Sequence, residues 1–121
     1  MATKKHKIGI SLSGGAAIGY AHLGLLQAAE EAGFKPDCVA GTSMGAIMGM
    51  MYAAGYSPLQ IRQIIKDEKM DNVFHVAFPS VPKPGGFVST SRIQRILKKY
   101  VPDNRFESLK TKFYCCASNM E

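Results

Sequence analysis

The chain has 121 residues, 46% of them hydrophobic and 20% charged. That is enough apolar material for one globular domain with a core, and too little charge for a disordered tail. The net charge of +6 suits an anionic partner: a phospholipid surface, a nucleic acid or an acidic substrate. Charge does not choose among them, and the run Lys4, Lys5, Lys7 reads as a solvated start.

The N-terminal basic start is followed only by the short apolar run Ile8 to Leu12, which is no signal peptide. The longest uncharged stretch, Cys38 to Ile61, is broken by Gly41, Thr42, Ser43, Ser57, Pro58 and Gln60. It falls short of the roughly 20 apolar residues that span a bilayer. Three cysteines, two of them the neighbours Cys115 and Cys116 in what reads as a buried strand, form no disulfide framework. They read as small buried hydrophobes in a reducing compartment, and a cytoplasmic protein is expected. His6, His22 and His75 stand alone, so neither a metal site nor a cofactor is proposed.

In chain order, Lys7 to Ser13 carries Ile8, Ile10 and Leu12 before a glycine pair, the profile of a buried strand ending at a tight turn. A helix is expected from Gly19 to Ala32, with Leu23, Leu25, Leu26, Ala28, Ala29 and Ala32 inward and Gly33 as its C-terminal cap. Cys38-Val39-Ala40 reads as a second strand. Ser43 to Ala54 has no charged residue and reads as a helix buried all round, with Gly45 and Gly49 allowing close approach. Ser57-Pro58 opens another helix, with Ile61, Ile64 and Ile65 inward.

Asp71 to Ser89 reads as a long loop broken by Pro79, Pro82, Pro84, Gly85 and Gly86. A helix resumes near Ser91, with Ile93, Ile96, Leu97 and Tyr100 inward and Arg92, Arg95, Lys98 and Lys99 outward, and Pro102 stops it. That basic face, beside a loop bearing Phe74, Phe78 and Phe87, fits peripheral contact with a lipid surface as well as it fits a solvated helix. Lys112 to Ser118 reads as a third strand. The alternation predicts an α/β fold, with a mostly parallel sheet flanked by helices on both faces.

Gly41-Thr42-Ser43-Met44-Gly45 falls where the second strand turns into the buried helix, the setting a nucleophile elbow requires. There a serine on a strained turn projects its oxygen away from the sheet, while Gly41 and Gly45 avoid collisions with neighbouring backbone. A glycine-rich strand–helix junction with an ordinary capping serine is the plain alternative. Ser13-Gly14-Gly15-Ala16 ends the first strand, and parallel neighbours would place it beside Ser43. The N–H groups of Gly14, Gly15 and Ala16, with that of Met44, are candidates for an oxyanion hole. A dinucleotide cradle would need glycine at position 16 and an acidic residue about 20 further on, where only Asp37 stands. There is no P-loop lysine either. His22 reads as a packed core histidine over Leu26 and Ala29, and His75 as a weak candidate base.

Ser11-Leu12-Ser13-Gly14-Gly15 with Gly19, Ala21-His22-Leu23-Gly24, Gly41 to Ala46 and Tyr52-Ala53-Ala54-Gly55 together resemble the patatin-like phospholipases over nearly the whole chain. The resemblance implies a three-layer patatin-like fold. It also implies Ser43 as nucleophile, the upstream glycine loop as oxyanion hole, no metal or cofactor, and a Ser-Asp dyad whose aspartate sits in a later Asp-Gly-Gly or Asp-Gly-Ala motif. The implied partner is a lipid or phospholipid whose acyl ester is hydrolysed, and not a nucleic acid. Two departures stand out: Ala16 replaces the third loop glycine and Ile18 replaces the loop arginine. None of Asp37, Asp67, Asp71 and Asp103 is followed by glycine, so the base is missing from this sequence.

Residues 1–121 are therefore expected to be the N-terminal portion of a single patatin-like domain, truncated and inactive alone. Its open strand edges are expected to favour self-association. A non-catalytic lipid-binding or regulatory module and an acyltransferase are the alternative readings.

Overall fold

In the computed structural model, residues 6–70 and 90–119 are described. Three parallel strands, β1 (Gly9–Leu12), β2 (Cys38–Gly41) and β3 (Lys112–Cys115), lie in the order β1-β2-β3. Ile10 pairs with Val39, and Val39 with Phe113. The helices are α1 (Ala21–Glu31), preceded by a 3-10 turn over Ala16–Tyr20, then α2 (Met44–Ala53), α3 (Pro58–Asp67) and α4 (Thr90–Tyr100). The fold is the α/β class read from the sequence. The expected loop over residues 71–89, with His75 and its phenylalanines, lies outside the described residues.

Helix α2 is the centre of the core, because a segment with no charged or strongly polar side chain has no face to offer water. Met44, Met48 and Met51 are fully buried, as is Ala53. Each buried methionine contributes roughly 2 kcal/mol relative to exposure. Gly49 sets the distance between α2 and the sheet: a Cβ there would come within 3.0 Å of Val39, 3.1 Å of Phe113 and 3.5 Å of Leu12. The sheet face beneath α2 is therefore the one bearing Leu12, Val39 and Phe113. On the opposite face Ser11, Ala40 and Tyr114 stand in register, with Ser11 and Tyr114 exposed. The helical layer expected over that face is not among the described residues.

Local signals account for the helix ends. Ser57 and Gln60 form a reciprocal capping box, each side chain taking the other's backbone N–H, with Pro58 in the first turn of α3. Gly33, at φ 78°, closes α1, and the N–H of Phe34 donates to the Ala29 carbonyl at 2.8 Å. The last turn of α3 is tied to α4 through Glu68. Its carboxylate accepts from Lys99 and from the Tyr100 hydroxyl, and its carbonyl accepts from Arg92. Lys99, followed by Tyr100, holds the Glu68 carboxyl below the usual carboxylate range. All four cations expected to face outward from α4 are exposed, and two of them, Arg92 and Lys99, also bond to Glu68.

Three expectations are corrected. Leu25, Ala28 and Ala32 are exposed rather than inward, because α1 packs mainly on α3 and buries only Leu23 and Leu26 fully. Cys115 and Cys116 are exposed, not buried, because β3 is an outer strand of the described sheet and ends at Cys115. His22 is half-buried and hydrogen-bonded rather than simply packed.

Candidate active site

Ser43 stands between the last residues of β2 and the first turn of α2 with φ 53° and ψ −121°. For a residue with a Cβ this is sparsely populated backbone, costing on the order of 1–3 kcal/mol, and it persists only where the surroundings impose it. Here they do. Gly45 lies against the end of β1, where an added Cβ would overlap the Leu12 carbonyl and stand 2.5 Å from the Ser13 oxygen. A Cβ at Gly41 would meet the Gly45–Ala46 peptide in the same way. The turn is further fixed by Thr42, whose N–H donates to the Leu12 carbonyl at 3.0 Å and whose hydroxyl lies 3.4 Å from the Cys116 sulfur. The serine hydroxyl is left exposed, with no hydrogen-bond partner among the described residues.

The glycine loop of β1 arrives beside this turn. A Cβ at Gly14 would lie 3.3 Å from that of Ser43. Gly15, at φ 141°, makes a reversal that only glycine adopts readily. Ala16 follows at φ 47°, in the left-handed region despite its methyl group. The 3-10 turn then packs back on the elbow: a Cβ at Gly19 would come within 2.7 Å of the Met44 Cβ. Loop and elbow are thus held together at the same end of the sheet, as the parallel register requires.

Backbone donors without acceptors lie at this end. The first N–H groups of a helix lack intrahelical acceptors. At α2 those of Gly45, Ala46 and Ile47 are taken by the Thr42 and Ser43 carbonyls at 2.9, 3.0 and 3.2 Å. The N–H groups of Met44, Gly14, Gly15 and Ala16 have no acceptor among the described residues. The dipole of α2 adds positive potential at the same point. Such an arrangement can hold developing negative charge on an oxygen near Ser43.

No described carboxylate lies at the elbow. Asp37 accepts from the Ile8 N–H at the opposite end of β2, Asp67 from Gln63 on α3, and Asp103 from Arg105. His22 Nε2 lies 2.7 Å from the Ser13 carbonyl oxygen. The sequence reading missed this bond because it joins positions nine apart through an irregular turn. The Ile18 side chain, in place of the arginine of the resembled loop pattern, is 82% exposed.

A cavity of about 380 Å³, lined by Met50, Leu97, Lys98, Arg105 and Phe106 among others, contains no residue of the elbow or the glycine loop.

A sequence profile of patatin-like phospholipases matches residues 10–120. The chain belongs to the patatin-like phospholipase family. Among curated relatives, it is 32% identical over 115 residues to "Lysophospholipase nte1" of Emericella nidulans, and 30% identical over 115 residues to "Lysophospholipase NTE1" of Saccharomyces cerevisiae. Each match covers 93% of this chain, but only 8% and 7% of the respective relatives. The chain thus spans less than a tenth of the length of these relatives. Among the described residues, no helix is long and apolar enough to cross a membrane.

Proposed function

We propose that this chain supplies the nucleophile and oxyanion hole of a serine lipid acyl hydrolase acting on phospholipid or lysophospholipid esters. The observation that carries the reading is the strained backbone of Ser43 at the β2–α2 turn, with Gly14 against its side chain. Membership of the family and the names of the relatives support the substrate class.

In this mechanism Ser43 Oγ attacks the acyl carbonyl carbon while its proton passes to a general base. The carbonyl oxygen becomes an oxyanion stabilised by the N–H groups of Gly14, Gly15, Ala16 and Met44. Collapse of the tetrahedral intermediate breaks the ester bond, and the alcohol leaves with the proton. Water, deprotonated by the same base, then cleaves the acyl-enzyme. We assign the base to an aspartate outside residues 1–121: Asp37, Asp67 and Asp103 are engaged elsewhere, and Asp71, like them, is not followed by the glycine of the resembled motif. Residues 1–121 alone then have negligible esterase activity, because an unassisted serine hydroxyl is a weak nucleophile.

The test is hydrolysis of a monoacyl phospholipid by the full-length protein. Release of free fatty acid, abolished in Ser43→Ala, is expected. Release that survives this substitution would rule out Ser43 as the nucleophile.

A further inference from the structure

We propose that His22 is a positioning residue that sets the direction of the Gly14 N–H beside Ser43. The inference rests on the reading of the glycine loop as an oxyanion hole.

His22 sits in the first turn of α1, with its Nε2 2.7 Å from the Ser13 carbonyl oxygen. A carbonyl oxygen only accepts, so Nε2 carries the proton and donates. The ring is half-buried over the 3-10 turn, its Cδ2 3.8 Å from where a Gly19 Cβ would stand. Gly19 is itself wedged against Met44. The donor is therefore held by the same turn that docks on the elbow.

The Ser13 oxygen and the Gly14 N–H belong to one planar peptide unit, and there are no cis peptide bonds among the described residues. In a trans unit the carbonyl and the N–H point in opposite directions. Fixing the Ser13 oxygen toward His22 turns the Gly14 N–H away from α1, at a residue in van der Waals reach of Ser43. A glycine pair cannot hold this orientation by itself, since both residues have broad conformational freedom. The Gly45 contact on the Ser13 oxygen is steric and contributes no donor. Among the described residues, His22 supplies the one side-chain hydrogen bond to this peptide.

The test compares His22→Gln, which keeps an N–H donor at similar reach, with His22→Phe, which keeps the ring but has no donor. Both are made in the full-length protein and assayed with 4-nitrophenyl butyrate. Removing one oxyanion donor elsewhere costs roughly 10²–10³ in kcat, so a misdirected one is expected to cost about 10- to 100-fold in His22→Phe. KM should stay within about two-fold, as befits an interaction made mainly in the transition state.

The rate of Ser43 phosphonylation by a fluorophosphonate should fall in parallel, and His22→Gln should recover most of both losses. Melting temperatures identify any loss due to unfolding, which would lower the active fraction without slowing each folded molecule. Wild-type kcat in His22→Phe, or a His22→Gln variant as slow as His22→Phe, overturns the proposal. If labelling does not depend on Ser43 at all, it is the hydrolase reading that fails, a result distinct from either.

Discussion

Gly45 lies so close to the carbonyl oxygen of Ser13 that an added Cβ would stand 2.5 Å from it, nearer than any real carbon approaches. This contact joins the start of α2 to the end of β1, and so brings the serine turn and the glycine loop into one site. The atoms that such a Cβ would meet, the Leu12 and Ser13 carbonyl groups, are backbone, so relief would require the chain itself to shift. Gly45→Ala is expected to destabilise the fold by about 3 kcal/mol, at the upper end for overpacking. Urea denaturation should show a clearly lower midpoint, and an unchanged midpoint would mean that the two elements are not in this contact.

Ala16 holds φ 47° with a methyl group that disfavours it. Left-handed backbone costs a non-glycine residue about 1 kcal/mol or slightly more. Ala16→Gly should therefore raise stability by a few tenths to about 1 kcal/mol, the strain relief being partly offset by the entropy of glycine. This is the reverse of the usual effect of such a change inside a helix. Thermal unfolding measures it, and a loss of 1 kcal/mol or more would show that Ala16 is not left-handed.

Glu68 makes stability depend on pH. Its carboxyl is held below the usual range, first by the Lys99 hydrogen bond and then by that of Tyr100. A depressed folded-state pKa means that the contribution is present above the unfolded value, about 4.3, and is lost as pH falls through the folded value. Glu68→Gln should lower the denaturation midpoint at about pH 7, and the gap should narrow at lower pH, as protonation below the depressed folded-state value neutralises the wild-type side chain. A difference that persists undiminished at the lower pH would assign the effect to packing. Added salt should shrink it at neutral pH, since the Lys99 partner is exposed.

Much of this architecture was legible in the sequence, and the rest failed for identifiable reasons. Ser57-Pro58 and Gly33 mark their helix ends through local backbone chemistry, and Gly41 and Gly45 mark the turn at Ser43 because nothing larger fits at either position. The uncharged run of α2 could only be buried. By contrast, Leu25 and Ala28 are apolar at helical spacing yet exposed, because the pattern of a helix does not reveal how many neighbours it has. Cys115 and Cys116 are exposed because β3 is an outer strand of the described sheet, a fact of topology. The Glu68–Lys99 pair joins residues 31 apart, and the His22–Ser13 bond depends on a 3-10 turn that periodicity did not show.

The central claim is that Ser43 is a nucleophile, and its most direct measurement is mass spectrometry of the full-length protein after reaction with a fluorophosphonate. The reagent loses fluoride and gains a bond to the serine oxygen. The expected result is a single adduct on the peptide carrying Ser43, absent from Ser43→Ala. A folded full-length protein that forms no adduct, or forms one that survives Ser43→Ala, would contradict it.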